Sequence, residues 1–247
     1  MNGVLSEKEY SIHYYEIDYN RKALITALMD YFGDMSMQQT EDLKVGLDFL
    51  SKNKLAWVLY KWNINIHRYP VYNEKVRVAT QAYGMRKFYA YRKFYIIDSN
   101  NEKIVEADSI WFLINTDERK IMSIPDYMYD IYKIPNGCKD SLSIDKLKKP
   151  KKIDAEKEFN VRYGDIDTNK HVNNVKYVAW AIETLPKDII TQNQLYNLKV
   201  NYIKETSYGL SVKVKTQIVK EEGKIICLHD IQNRQNETLA LIQTSWR

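Results

Sequence analysis

The chain has 247 residues, of which 45% are hydrophobic and 28% charged, with a formal net charge of +5. That composition excludes a disordered chain, and the length suffices for one large or two small domains with buried cores. No apolar run reaches the length of a membrane span, and the two distant cysteines, Cys138 and Cys227, exclude a disulfide framework and a zinc site.

Residues 1–9 contain no signal-peptide core, which predicts a cytoplasmic protein. The first motif is His13-Tyr14-Tyr15-Glu16-Ile17-Asp18-Tyr19-Asn20. It runs into an apolar stretch of helical period carried by Leu24, Leu28, Tyr31 and Met35. Strand-like sequence follows at 57–66, 76–82, 88–97 and 103–114, rich in Tyr, Val, Ile, Phe and Trp and broken by Asn, Asp and Gly clusters. Residues 141–153 hold Lys146, Lys148, Lys149, Lys151 and Lys152 around Pro150, with little apolar content, and read as a basic linker of solvated charge. The order then repeats. Arg162-Tyr163-Gly164-Asp165-Ile166-Asp167-Thr168-Asn169 aligns with the first motif, and Val172, Val175, Ala179 and Ile182 carry a second helical stripe. Strand-like runs follow at 198–204, 211–219, 225–231 and 238–246. Shared order of motif, helix and strands points to duplication. The predicted fold is α+β, with two antiparallel sheets each wrapping a long helix and joined edge to edge so that two exposed edges are covered. The predicted division is 1–140, the linker 141–153, and 154–247.

The second motif carries the chemistry. Asp167, Asn169 and His171 alternate, so an extended segment would put a carboxylate, an amide and an imidazole on one side. The same residue types also suit a helix entrance, with Asp165, Asn173 and Asn174 as capping or turn groups. Lys22 stands where His171 would fall in the first copy, which leaves that position without an imidazole. His13, His67 and His229 lack a constellation like that of His171. Trp57, Trp62, Trp111 and Tyr91 read as core.

The segment from Asp165 through Asp167, Asn169, His171, Asn173 and Asn174 to Tyr177 closely resembles the catalytic segment of the acyl-ACP (acyl carrier protein) thioesterases, double-hotdog enzymes of plant plastids and many bacteria. Trp57-Val58-Leu59, Asn65-Ile66-His67-Arg68-Tyr69-Pro70, Ala107-Asp108-Ser109-Ile110-Trp111 and Tyr202-Ile203-Lys204-Glu205-Thr206 extend the resemblance over most of the chain. It implies hydrolysis of the acyl-ACP thioester to a free fatty acid and ACP, which ends chain elongation, with neither cofactor nor metal. It carries catalytic roles to Asp167, Asn169, His171 and Glu205. Asp167 is expected as nucleophile or general base, Glu205 as the group that activates water, His171 as proton donor to the leaving thiolate, and Asn169 as a holder of the carbonyl oxygen or of Asp167. Backbone N–H groups of a helix beginning near Val172 are expected to add oxyanion donors. Some relatives carry Cys after the strand Glu; here that residue is Thr206, which argues against a thiolate nucleophile.

The resemblance also places acyl-chain selectivity in the first half, with Leu28, Tyr31 and Trp57 as substrate-binding residues, and adds Asn174 in the second. It makes acyl carrier protein the expected partner, steered by Arg86, Lys87, Arg92, Lys93 or the linker lysines. No nucleic-acid motif is present. Alternative readings are an acyl-CoA thioesterase, a hydroxyacyl-ACP dehydratase and a non-catalytic acyl-binding protein. Homodimerisation stays open, and the composition leans towards a bacterial rather than a plastid protein.

Overall fold

The computed structural model describes residues 3–247; Met1 and Asn2, where the predicted first domain begins, lie outside the described residues. The chain divides into two compact units, one of residues 1–60 and 66–144, the other of residues 61–65 and 145–247.

In the first unit, β1 (Leu5–Ser11) leads through a single 3-10 turn (Tyr14–Glu16) into α1 (Ile25–Asp42) and the short α2 (Leu47–Lys52). Next come β2 (Leu55–Ile66), β3 (Lys75–Arg86), β4 (Tyr89–Ile97), β5 (Lys103–Asn115), β6 (Lys120–Ile121) and α3 (Asp126–Ile131). The strands order as β1-β3-β4-β5-β2, with β6 against β5. The register is antiparallel, with Glu9 opposite Arg77, Thr80 opposite Phe94 and Phe94 opposite Ala107. α1 turns Ile25, Leu28, Met29, Phe32 and Met35 inward, the three-and-four spacing that the sequence carried. Phe32 meets Phe94 of β4 at 5.1 Å between ring centroids.

The second unit repeats the plan. β7 (Ala155–Asn160), a 3-10 turn (Tyr163–Asp165), α4 (Asn174–Glu183) and α5 (Lys187–Gln192) precede β8 (Leu195–Tyr202), β9 (Ser211–Glu221), β10 (Lys224–Gln232) and β11 (Thr238–Trp246). The order is β8-β11-β10-β9-β7, antiparallel throughout, and the β2 segment from Lys61 to Asn65 pairs with β8 inside this unit. Trp180 of α4 stacks on Phe159 of β7. Each unit is thus an antiparallel sheet wrapped around one main helix, the hotdog architecture expected from the sequence.

The predicted strands all form; β2, β3, β5, β9 and β10 are longer than predicted, β4 begins one residue later, β8 is shifted to 195–202, β11 matches at 238–246, and the two-residue β6 was not predicted. The sequence reading missed β1 and β7. Both are edge strands with mostly exposed, charged side chains, Glu7, Lys8, Glu9 in one and Glu156, Lys157, Glu158 in the other, so neither shows an apolar alternation. The linker has no regular structure, but its few apolar residues anchor it: Ile144 and Leu147 are buried, and Ile144 packs with Tyr91 and Ile110. Its charges are not all free in solvent. Lys149 donates to Thr238 Oγ1 at 2.6 Å, Lys152 pairs with Asp154 at 2.7 Å and Asp145 with Lys199 at 2.5 Å.

Two buried polar clusters mark the interiors. In the first unit Arg92 is 8% exposed, donates to Gln39 Oε1 and to Thr80 Oγ1, and lies beside the rings of Phe94 and Tyr132. Burial works against its charge. Arg92 therefore cannot belong to a surface docking patch, which corrects the sequence expectation. A one-residue shift along a strand moves a side chain to the opposite face, and its neighbour Lys93 takes the outer place, over the Tyr83 ring at 4.4 Å.

In the second unit His229, fully buried on β10, sits between Thr216 Oγ1 at 2.8 Å and Thr244 Oγ1 at 3.1 Å. Burial depresses its pKa from the usual 6.5 to about 3. The unfolded chain therefore binds the His229 proton first, so the stability that this group contributes is present above about pH 6.5 and drains away as pH falls towards about 3. In urea unfolding followed by circular dichroism, the wild-type midpoint should fall more steeply between pH 6.5 and 4 than that of His229→Gln. Parallel slopes would show that this imidazole does not drive acid lability.

Candidate active site

The loop between β7 and α4 is not extended. Ile166 and Val172 form an isolated bridge, and between them the chain turns. Lys170 N–H donates to the Asp167 carbonyl at 3.0 Å and Asp167 N–H to the His171 carbonyl at 2.8 Å, with Lys170 at φ 65°. One oxygen of Asp167, Oδ1, accepts the N–H of Asn169 at 2.8 Å and of His171 at 3.3 Å. The alternation of Asp167, Asn169 and His171 therefore does not put them on one side of a strand. Asp and Asn favour an Asx-type turn, because a short carboxylate reaches its own backbone two residues on, and here that local bonding wins.

The same turn exists in the first unit, bond for bond. Asp18 Oδ1 accepts Asn20 N–H at 2.8 Å and Lys22 N–H at 3.0 Å. Asp18 N–H bonds the Lys22 carbonyl at 2.8 Å, Arg21 has φ 64°, and Ile17 bridges Ala23. Upstream, Glu16 accepts from His13 N–H as Asp165 does from Arg162 N–H. Downstream, Ala23 N–H bonds the Pro70 carbonyl as Val172 N–H bonds that of Thr206. Tyr14 meets Tyr72 edge-on at 6.4 Å, and Tyr163 meets Tyr208 edge-on at 6.4 Å. The duplication read from the sequence is thus visible at the level of single hydrogen bonds.

The two copies differ in the side chains around this turn. His171 Nδ1 is 3.1 Å from Glu205 Oε2, both side chains partly exposed. By the bonding pattern, His171 corresponds to Lys22 and Glu205, which precedes Thr206, to Tyr69, which precedes Pro70. One turn into α4 lies Tyr177, 2% exposed, where the first copy has Leu28. The phenol is pushed towards its neutral form mainly by burial, then by the charges of Glu205 and Asp167, while the Thr206 backbone N–H bonds its oxygen and opposes that shift. Tyr177 lies beside the Glu205–Thr206 segment and was not singled out in the sequence. The signal was available in the alignment of the two copies, which sets a hydroxyl-bearing ring against a plain leucine on the same buried helix face.

The remaining residues take structural places. Asp165 is buried. Burial alone would raise its pKa, but the Arg162 guanidinium and backbone N–H hold it low. Asn173 caps α4 by accepting Val175 N–H at 3.0 Å. The helix thus begins at Asn174 rather than Val172, and the Asn174 carbonyl accepts the Tyr202 hydroxyl at 2.8 Å. Leu28 and Tyr31 are both buried on α1, with the Tyr31 hydroxyl bonded to Glu16. Trp57 is half-buried on β2 and packs on the cluster of Val45, Leu50, Met85 and Leu113. These three belong to the first unit, apart from the His171 loop in sequence. His13 and His67 each have one carboxylate neighbour, Glu16 and Glu106. Among the described residues no cluster of three His, Cys, Asp or Glu could hold a metal.

Tandem hotdog units, with the His171–Glu205 pair at a loop whose copy in the first half has Lys22 and Tyr69 at those positions, define the class of protein. The models for the acyl-ACP thioesterase N-terminal domain and C-terminal domain match residues 3–132 and 148–247, and the chain belongs to the acyl-ACP thioesterase family. It is similar to a chloroplastic acyl-[acyl-carrier-protein] hydrolase of Cuphea viscosissima, 28% identical over the whole of this chain and 63% of that protein, so it spans less than two thirds of that relative's length. Among solved structures it resembles one from Lactobacillus plantarum assigned as an oleoyl thioesterase, at 28% identity and TM-score 0.90, covering 100% of this chain and 97% of that one. It also resembles the 12:0-ACP thioesterase from Umbellularia californica, at 25% identity and TM-score 0.87, covering 98% and 94%.

If both Asx turns are structural, Asp18→Ala should cost about 1 kcal/mol of stability, as loss of a comparable cap does. Asp18→Asn, which keeps an accepting oxygen, should recover most of it. Unfolding midpoints of the two variants check this; equal losses would place the effect on the charge of Asp18 rather than on the turn.

Proposed function

We propose that this chain is an acyl-ACP hydrolase, with residues 1–140 binding the acyl chain and 154–247 carrying the catalytic groups. The observation that bears most weight is the His171–Glu205 pair, placed on a loop that the first unit copies without either residue. With Nδ1 turned to Glu205, Nε2 is the basic nitrogen of the ring. Asp167 spends one oxygen on its loop, leaving the second to orient an attacking water. His171 Nε2 takes a proton from that water as its oxygen bonds to the thioester carbon, and Glu205 balances the imidazolium. Collapse of the tetrahedral intermediate breaks the C–S bond, and the Nε2 proton passes to the leaving sulfur. Asn169 holds the carbonyl oxygen. Leu28, Tyr31 and Trp57 line the acyl site, and Asn174 contacts the substrate near the catalytic loop. Acyl carrier protein is the partner. The Lys-, Tyr- and Asn-rich composition supports a cytoplasmic and bacterial setting.

Thiol release from a chain-length series of acyl-ACPs and matching acyl-CoAs tests this reading. Turnover should favour the ACP substrates and fall about 100-fold or more in His171→Ala and in Asp167→Asn, the latter without loss of melting temperature because Asn keeps the turn. A preference for CoA would make the chain an acyl-CoA thioesterase. No release from any thioester would leave the dehydratase or acyl-binding readings.

If Arg86, Lys87, Lys93 and the linker lysines steer an acidic carrier, KM for acyl-ACP should rise with salt while KM for a short soluble thioester stays level. Equal salt responses would count against steering.

A further inference from the structure

A thioesterase must stabilise the oxyanion that forms on the carbonyl oxygen, and a helix N-terminus is the usual source of donors. At α4 those donors are committed to the protein. Val172 N–H bonds the Thr206 carbonyl at 2.9 Å and Asn173 N–H the Asp165 carbonyl at 2.8 Å. Val175 N–H bonds Asn173 Oδ1 at 3.0 Å, and Lys176 N–H the Asn173 carbonyl at 2.9 Å. The amides of Val172, Asn173, Val175 and Lys176 around this helix start are thus bonded within the protein, which brings side-chain donors to the fore.

Tyr177 is placed to take it. Its ring meets Trp180 edge-on at 5.5 Å and Tyr202 edge-on at 5.7 Å, and Tyr202 is itself tied by its hydroxyl to the Asn174 carbonyl. These contacts fix where the phenolic oxygen lies. That oxygen accepts the Thr206 N–H, one residue from Glu205, and lies in the field of both Glu205 and Asp167. In the first copy, which has Lys22 and Tyr69 at the positions of His171 and Glu205, the equivalent of Tyr177 is Leu28, fully buried, so packing of this helix face does not require a hydroxyl.

We propose that Tyr177 is a catalytic hydrogen-bond donor whose O–H binds the thioester carbonyl oxygen and holds it as the oxyanion forms. The proposal rests on the thioesterase reading above. No bond to Tyr177 is made or broken; the phenol keeps its proton while water adds to the carbonyl carbon and sulfur leaves.

The test is Tyr177→Phe, which keeps the ring and its contacts, assayed on the acyl-ACP that the wild type turns over best. The kcat should fall about 100- to 1,000-fold, the loss usual for one oxyanion donor. KM, melting temperature and both limbs of the pH–rate profile should stay in place. As a second readout, an amide analogue of acyl-pantetheine labelled with carbon-13 at the carbonyl should show a lower infrared stretching frequency bound to wild type than bound to Tyr177→Phe. A kcat within about threefold of wild type, or identical carbonyl bands, would overturn the proposal. A displaced pH limb would move Tyr177 to a role on the His171–Glu205 pair, and a lowered melting temperature accompanying the lost activity would make it a packing residue; either overturns the proposal. Absence of wild-type turnover would instead sink the thioesterase reading itself.

Discussion

Each half of this molecule depends on a carboxylate that bonds the backbone of its own loop. Asp18 in one half and Asp167 in the other accept two N–H groups through a single oxygen, closing a turn between a short 3-10 segment and the start of the main helix. Everything downstream takes its direction from that turn. It sets where α1 and α4 begin, and hence which helix face meets the sheet. In the second half it also delivers His171 to Glu205, which comes from the segment after β8.

The paired turns separate scaffold from chemistry within one chain. Where the two copies agree, the residue serves the fold: the Asp, the Asn two positions on, the acid that bonds back to the 3-10 turn and the edge-on tyrosines. Where they differ, the second copy gains proton-transfer or hydrogen-bonding capacity. His171 replaces Lys22, Glu205 replaces Tyr69 and Tyr177 replaces Leu28.

Polar groups inside the two cores follow different solutions. Arg92 keeps its charge next to neutral acceptors and aromatic faces, tying α1 to β3 and β4 through Gln39 and Thr80. His229 gives up its charge and becomes a neutral link between the hydroxyls of β9 and β11. Both arrangements are satisfied by hydrogen bonds to named partners, as buried polar groups require.

The sequence alone determined the architecture. Period-two strands, two apolar helical stripes and a repeated motif are local patterns, and local pattern is what a linear string preserves. It also marked Asp167, Asn169 and His171, because they cluster within five residues, and through the resemblance it reached Glu205. The tertiary structure decided how they are used. That Asp167 holds a turn rather than lining a strand follows from side-chain-to-backbone bonding that alternation cannot reveal. Arg92 went inward and Lys93 outward because strand register, fixed by pairing with β3 and β5, assigns alternate residues to opposite faces. Folding brings the Glu205–Thr206 segment, nearly thirty residues on, beside Tyr177 on a helix face that reads as plain core. The edge strands β1 and β7 were invisible for the complementary reason: their side chains mostly face water, so pairing with a distant strand defines them rather than an apolar pattern.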